Sequence, residues 1–591
     1  MAIKNNPVIY LTLKLWEYSK GNRKNVVLYS IMLIIANMFN LISPLVIAKV
    51  LNIIQEDGLV STNLYSIMLY LSVFIFIELG FWTFHGPAMI ILAKNSFLVR
   101  ANYKRYLLDG TMSLPAQWHT DHHSGDTIDK IEKGTSALYR YSSESYEVIQ
   151  TLVLFLGSYI ALMYFNIHAS YIVLLMMIIT LGIVLRFDSH LVKKYRELYW
   201  AENRISAKIF DVVSNITTVI ILRTERLVSR AIFRKIMQPF RLHIKTAKLD
   251  ETKWFFVSIC TATMMVLVLT SYIYFNFLAG TAIMIGSIFA LYSYVGRIKG
   301  LFFRFADRYS TIVREKTAVQ NAEEISDEFA KKKKTRPVKL SKEWKELKID
   351  SLKFSYHTEE GADLHLDNIS LTIKNAEKIA LIGESGSGKT TLLKIIRELY
   401  TPRHVKLYLD GNLLKNSFKD ISRHIALIPQ DPEIFSTTIK NNITMGINKK
   451  LSDIKKYTDM ARFTDVVKHL PKKLNSNIVE KGVNLSGGQK QRLALARGLM
   501  ACEDKSIILL DEPTSSVDFR NETAIYDNIF KEFKDKTIIS SIHKLHLLPM
   551  FDTIYFFSNG KIIAQGSFNK LLNTSEEFRD MWEKQRKTKK K

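Results

Sequence analysis

The segment Gly383-Glu384-Ser385-Gly386-Ser387-Gly388-Lys389-Thr390 fits the spacing G-x-x-x-x-G-K-[ST]. The run Lys378–Ile382 ahead of it reads as a buried strand, and Thr391–Glu398 behind it reads as a helix. Glycines in such a turn let backbone N–H groups converge on phosphate, and the helix N-terminus adds partial positive charge. Lys389 then reaches the β- and γ-phosphates of ATP, and the Thr390 hydroxyl reaches an Mg²⁺ ion.

A second apolar run, Ser506–Leu510, ends in Asp511-Glu512. Asp511 suits a Mg²⁺ shell as a hard oxygen ligand, and Glu512 is placed to polarise an attacking water. An acidic pair alone does no more than close a strand; beside a phosphate loop it completes a hydrolytic site. Between the two lies Leu485-Ser486-Gly487-Gly488-Gln489, followed by Lys490-Gln491-Arg492 and the apolar run Leu493–Leu499. This is a second helix start suited to an anion, and a chain with two of them needs a reason for the second.

The elements that must position these residues fill only the last 250 or so of 591 residues. The rest is dominated by apolar stretches of about 20 residues, the length that crosses a bilayer. Six are expected to span: Val26–Val50, Leu64–Leu92, Val148–Phe165, Tyr171–Phe187, Trp254–Phe275 and Gly280–Phe302. The connections Asn52–Asn63, Asn166–His168 and Asn276–Ala279 carry no Lys or Arg, whereas Ala93–Tyr146 and Asp188–Lys253 are long and basic. Positive loops stay on the cytoplasmic side, so both termini and the soluble half are expected there. The same rule accounts for much of the net charge of +26 and argues against nucleic-acid binding. The long loops, poor in proline, read as helices continuing out of the spans. Pro7–Tyr18 reads as an interfacial amphipathic helix or a solvated lead-in, and Met1–Lys24 lacks a cleavable signal peptide. Within the spans, Glu78 and His85 share a helix face, as a cargo-contacting surface or an internal hydrogen bond; Asn37, Asn40 and Arg186 are polar too. Cys260 and Cys502 offer no disulfide framework.

The combination resembles the ATP-binding-cassette (ABC) transporter superfamily, and the whole chain resembles its exporter-type half-transporters. LSGGQ at 485–489 is the superfamily's signature. The resemblance implies a helical six-span domain followed by an α/β P-loop nucleotide-binding domain. The expected boundaries are an N-terminal segment over 1–25, the transmembrane domain over 26–320, a linker over 321–345, the nucleotide-binding domain over 346–580 and a basic tail over 581–591, disordered from Lys584. It implies that Tyr356 stacks on adenine, that Gln430 senses Mg²⁺ and contacts the membrane domain, that Ser516-Val517-Asp518 links two ATP sites, and that His543 contacts the γ-phosphate. Trp118–Asp126 resembles the exporter loop that docks on a nucleotide-binding domain, which leaves its histidines, His119, His122 and His123, without need of a metal. Two departures stand out: Val479 ahead of Glu480-Lys481-Gly482, where glycine is usual, and Lys544 after the histidine, where Arg is common.

The resemblance also explains the second helix start. Two nucleotide-binding domains meet head to tail, so that Ser486, Gly487, Gly488 and Gln489 of one face the ATP held by residues 383–391 of the other. One cassette and six spans are half of such a unit, which implies a homodimer or a heterodimer working by alternating access. The implied cargo is an amphipathic small molecule or lipid. The competing readings are a peptide exporter, weakened because no peptidase domain precedes the spans, and an ATP-gated channel or regulatory protein, weakened by the intact Glu512 and His543.

Overall fold

The computed structural model describes residues 6–122, 124–331, 340–341, 343–358, 361–431, 433–478 and 485–588. His123, the run from Lys332 through Pro337, and Val479–Gly482 lie outside them. Contacts divide the chain into two units, Met1–Leu114 with His119–Lys332, and Pro115–Trp118 with Lys333–Lys591.

The first unit is all helical: α1 (Pro7–Tyr18), α2 (Arg23–Asp57), α3 (Ser61–Met112), α4 (Ala116–Asp121), α5 (Ser124–Ser143), α6 (Ser145–Phe165), α7 (Ile167–Ser214), α8 (Ile216–Ile221), α9 (Glu225–Met237), α10 (Phe240–Leu278) and α11 (Ile285–Ala330). Helices α3, α7, α10 and α11 run well past their apolar windows, as expected of the long loops. Many loop cations have acidic neighbours: Lys104 pairs with Glu132, Lys133 with Asp129, and Lys130 with both Asp126 and Glu324. In α1, Asn6 caps the first turn, Leu11, Leu15 and Tyr18 are buried, and Ile9, Leu13 and Trp16 are exposed.

Among the described residues five helical stretches are long and apolar enough to cross a membrane, and α11, which covers most of the expected sixth span, is a helix of 46 residues. The expected sixth span, Gly280–Phe302, becomes helical only at Ile285 and carries Arg297 and Lys299 within it. Arg297 is accounted for by Pro44 in α2. A proline at position 44 has no N–H to give the carbonyl of Asn40, four residues earlier. Arg297 Nη1 donates to that carbonyl at 2.7 Å, its Nη2 donates to Ser43 Oγ at 2.8 Å, and the Tyr294 hydroxyl donates to the next carbonyl, Leu41 O, at 2.8 Å. Gly286 allows the close approach, because a Cβ there would lie 2.0 Å from Ala48 O. The guanidinium thus closes a backbone gap in apolar surroundings. The expected result is a coupling of about 1 kcal/mol between the two positions. Arg297→Leu lowers the thermal midpoint in the Pro44 protein and lowers it less beside Pro44→Ala, which restores an N–H; equal losses in both backgrounds rule the pairing out.

Glu78 is exposed on α3, while His85 stacks on Phe81 at 4.6 Å between ring centroids. His85 Nδ1 is buried without a hydrogen-bond partner among the described residues.

The second unit has β1 (Glu346–Thr358), β2 (Gly361–Lys374), β3 (Lys378–Gly383), α12 (Lys389–Ile396), β4 (His404–Leu409), β5 (Asn412–Leu413), β6 (Ile425–Ile428), α13 (Ile439–Thr444), α14 (Leu451–Met460), α15 (Thr464–His469), α16 (Gly487–Ala501), β7 (Ile507–Asp511), α17 (Phe519–Glu532), β8 (Thr537–Ser541), β9 (Thr553–Ser558), β10 (Lys561–Gly566), α18 (Phe568–Thr574) and α19 (Glu576–Thr588). Helix α19 runs on to Thr588, inside the segment expected to be disordered from Lys584, and Lys589–Lys591 lie outside the described residues.

A six-stranded sheet has the order β10-β9-β3-β8-β7-β6, and a four-stranded one the order β2-β1-β4-β5. Strands β9, β3, β8, β7 and β6 are parallel. A parallel strand covered on both faces reads as a continuous apolar run, which is why β3 and β7 were legible. Successive side chains go to opposite faces. Ile379, Leu381, Ile507 and Leu509 join one core with β1, β2 and α12; Ala380, Ile382, Ile508 and Leu510 join the other, with α14, α16 and α17. Register pairs Leu381 with Ser541, Asp511 with Ser541, and Ile428 with Leu510. The carboxyl ends of four strands therefore share one edge, the place where open α/β sheets bind ligands.

Candidate active site

The turn between β3 and α12 crosses that edge. Gly388 caps α12 in the left-handed region at φ 104°, and a Cβ there would lie 2.6 Å from Leu366 Cδ2. Both the conformation and the packing require glycine. Lys389 is buried, its ammonium donating to Gly383 O at 2.9 Å and Glu384 O at 2.8 Å. Burial pushes its pKa below the usual amine range, against the pull of Glu512 and Asp511.

Thr390 Oγ1 donates to Asp511 Oδ1 at 2.8 Å, joining the two residues expected at Mg²⁺. Asp511 is buried, and that burial raises its carboxyl pKa, opposed by the Thr390 hydrogen bond. Two hard oxygen donors thus converge beside the phosphate loop, a donor set that fits Mg²⁺. Gln430, just beyond β6, donates from Nε2 to Glu512 Oε2 at 3.0 Å. Glu512 itself has φ 44°, a conformation rare for a non-glycine residue and concentrated at functional sites. His543 follows β8 and lines a cavity of about 250 Å³ with Glu512, Ser515 and Lys544. The Tyr356 hydroxyl lies 3.4 Å from Thr391 Oγ1, and its ring packs edge-on against Tyr400 and His365. One edge therefore collects Tyr356, residues 383–391, Gln430, Asp511, Glu512 and His543.

The Leu485–Gln489 segment opens α16 by a reciprocal cap. Ser486 Oγ accepts from Gln489 N at 3.3 Å, and Gln489 Oε1 accepts from Ser486 N at 3.0 Å. The cap engages Gln489 Oε1 and Ser486 Oγ and holds Ser486, Gly487, Gly488 and Gln489 at the start of α16. Asp518 caps α17, accepting from Asn521 N at 3.1 Å. Sequence reading passed over Gln491 and Glu522. Gln491 stands two residues after the LSGGQ motif without a role of its own, and Glu522 carries no local pattern; both acquire partners only in the fold.

A P-loop nucleotide site on a parallel sheet, in one chain with long apolar helices, defines a membrane-embedded NTPase. Residues 366–515 match the ABC transporter family model and residues 26–299 match the ABC transporter transmembrane region, so the chain belongs to the ABC transporter family. It is an integral, multi-pass membrane chain with both family domains fused. It is similar to the ATP-dependent lipid A-core flippase of Pseudoalteromonas translucida, 35% identical over 46% of each chain. A flippase of the same name from Idiomarina loihiensis is 27% identical over 88% of each. The fold is similar to that of a bacterial Atm1-family ABC exporter with ATP bound, at TM-score 0.83 and 18% identity, covering 95% of this chain and 99% of that one.

Proposed function

We propose that the chain is one half of an ATP-driven exporter that moves an amphipathic small molecule or lipid across a bacterial inner membrane. The observation that carries this reading is the convergence of Lys389, the Thr390–Asp511 pair and the Gln430–Glu512 pair on one sheet edge, in a chain that also carries membrane-spanning helices. The names of its relatives support the lipid-like cargo.

In this reading two copies meet head to tail, with the nucleotide-binding domains and both termini in the cytoplasm. Backbone N–H groups of 383–391 and the Lys389 ammonium hold the phosphates, with Tyr356 against adenine. Mg²⁺, held by Thr390, Asp511 and Gln430, would neutralise charge on the phosphate oxygens. Glu512 accepts the proton of a water as its oxygen bonds to the γ-phosphorus. The bond from that phosphorus to the β–γ bridging oxygen breaks, and ADP leaves with phosphate. His543 orients the γ-phosphate, and Ser486, Gly487 and Gly488 reach it from the partner. ATP binds the closed pair far better than the open one, so binding shifts the population toward the outward-facing form and hydrolysis resets it.

The test is ATP hydrolysis by the purified chain in lipid nanodiscs, against a panel of lipids, hydrophobic drugs and peptides, with Glu512→Gln as the blank. Stimulation of the wild type by lipids or amphiphilic drugs is the expected result. Stimulation by peptides alone makes the chain a peptide exporter. No hydrolysis under any condition removes the homodimeric exporter.

A further inference from the structure

Strand β2 carries one residue more than its partner β1 at His365. Register pairs Phe354 with Leu366 and Ser355 with Leu364, so His365 has no opposite number. An extra residue of this kind bends its strand and re-aims its side chain, and such bulges gather beside active sites. Leu366, the next residue, is buried in the core with α12. The imidazole of His365 lies against Tyr356, with ring centroids 4.7 Å apart and ring planes at 88°.

The bulge is seated on the phosphate loop through its backbone. A Cβ on Gly388 would approach His365 O to 3.1 Å, and a Cβ on Gly560 would approach it to 2.7 Å. Gly560 O accepts from Asp367 N at 3.0 Å, and Gly560 N donates to Ser387 O at 3.2 Å. The position of His365 is therefore set relative to the loop that carries Lys389, by groups with no rotamer to change.

Three rings stand perpendicular to Tyr356: His365, Phe354 at 4.8 Å and 86°, and Tyr400 at 5.2 Å and 85°. A purine stacked on a Tyr356 face is parallel to that ring, so it too is perpendicular to the imidazole. His365 then meets the edge of the base and not its face. Phe354 is buried and carries no polar side-chain atom, whereas the half-buried imidazole presents two ring nitrogens. At position 6 adenine carries an amino donor and guanine a carbonyl acceptor. A neutral imidazole has one nitrogen that accepts. Directed at position 6, that nitrogen bonds to adenine and faces a second acceptor in guanine. Stacking on Tyr356 makes no such distinction, because every base has a π-face.

We propose that His365 is a specificity-determining residue of the nucleotide site, its imidazole accepting a hydrogen bond from the exocyclic amino group of an adenine stacked on Tyr356 and so favouring ATP over GTP. The inference rests on the reading of the turn between β3 and α12 as the ATP site.

The test compares kcat/KM of the full chain in nanodiscs for ATP, GTP and purine riboside triphosphate, which has neither the amino group nor the carbonyl at position 6. The wild type is expected to prefer ATP over both by about 3- to 10-fold, the worth of one net hydrogen bond, with the difference falling in KM because the base is remote from the γ-phosphate. His365→Val is expected to bring the three substrates within about twofold of one another by losing on ATP alone. Should His365→Val disturb the bulge, seen as a lowered thermal midpoint, His365→Leu carries the same expectation. Equal kcat/KM for ATP and either analogue in the wild type overturns the inference, and so does a preference for ATP that survives in both variants; the ATP site stands in either case. No hydrolysis of any of the three by the wild type removes the ATP site, and the inference with it.

Discussion

Glu512→Gln is expected to lower phosphate release about 10²- to 10⁴-fold while ATP binding stays within about twofold of the wild type. The substitution keeps the side chain's length and a carbonyl oxygen that accepts from Gln430 Nε2, now 3.0 Å from Glu512 Oε2. It removes the group that takes the proton from water. Lys389, Thr390 and Asp511, which hold the phosphate side of the site, are untouched. The variant should accumulate with ATP trapped, seen as retained nucleotide after rapid gel filtration. Lys389→Ala marks the contrast, since it removes the ammonium and loses binding together with turnover. Phosphate release by Glu512→Gln within twofold of the wild type would sink the assignment of Glu512 as base.

Gly488→Ala is expected to reduce hydrolysis by at least about tenfold while lowering stability by only about 1 kcal/mol. The stability change is small because two terms oppose each other. In the first turn of α16 alanine is a better helix former than glycine, by about 0.5–1 kcal/mol. Its methyl group, however, would stand 2.7 Å from Ser516 O, a backbone atom with no rotamer to change. The turn must shift, and it carries the backbone of Glu512 with it through Gln491. An error of about 1 Å at a catalytic group costs about 100-fold in rate. Activity and thermal midpoint measured on one preparation separate the two effects. A lowered midpoint with full residual turnover would mean that Gly488 serves the helix and not the site.

The phosphate loop, the acidic pair and the LSGGQ turn could be read from sequence because each is a local device. A left-handed glycine, a helix start and a strand end are specified by residues within a few positions of one another. Most of the membrane helices were legible for a similar reason, since a lipid-exposed helix must be apolar nearly all round. The expected sixth span carries a cation, Arg297, that answers a gap opened by Pro44, more than 250 residues earlier, and no local window relates the two. The LSGGQ signature assigned Gln489 to nucleotide together with its neighbours, and the fold adds that its Oε1 accepts from Ser486 N in the cap of α16. Disorder was expected from Lys584 because of the lysines there, yet α19 continues as far as Thr588.

Sequence by itself determined that the chain enters a membrane and carries a P-loop, and it proposed which side chains meet phosphate and which oxygen donors suit Mg²⁺. Tertiary structure alone decided how those groups are held. Strand register brings Asp511, Ser541 and Leu381 level, sets Gln430 against Glu512, and closes Gln491 and Lys544 on one turn. The physical reason is range. Backbone conformation and helix capping are settled by neighbours in the chain, whereas hydrogen bonds between buried groups depend on which distant segments the two apolar cores of the sheet bring together.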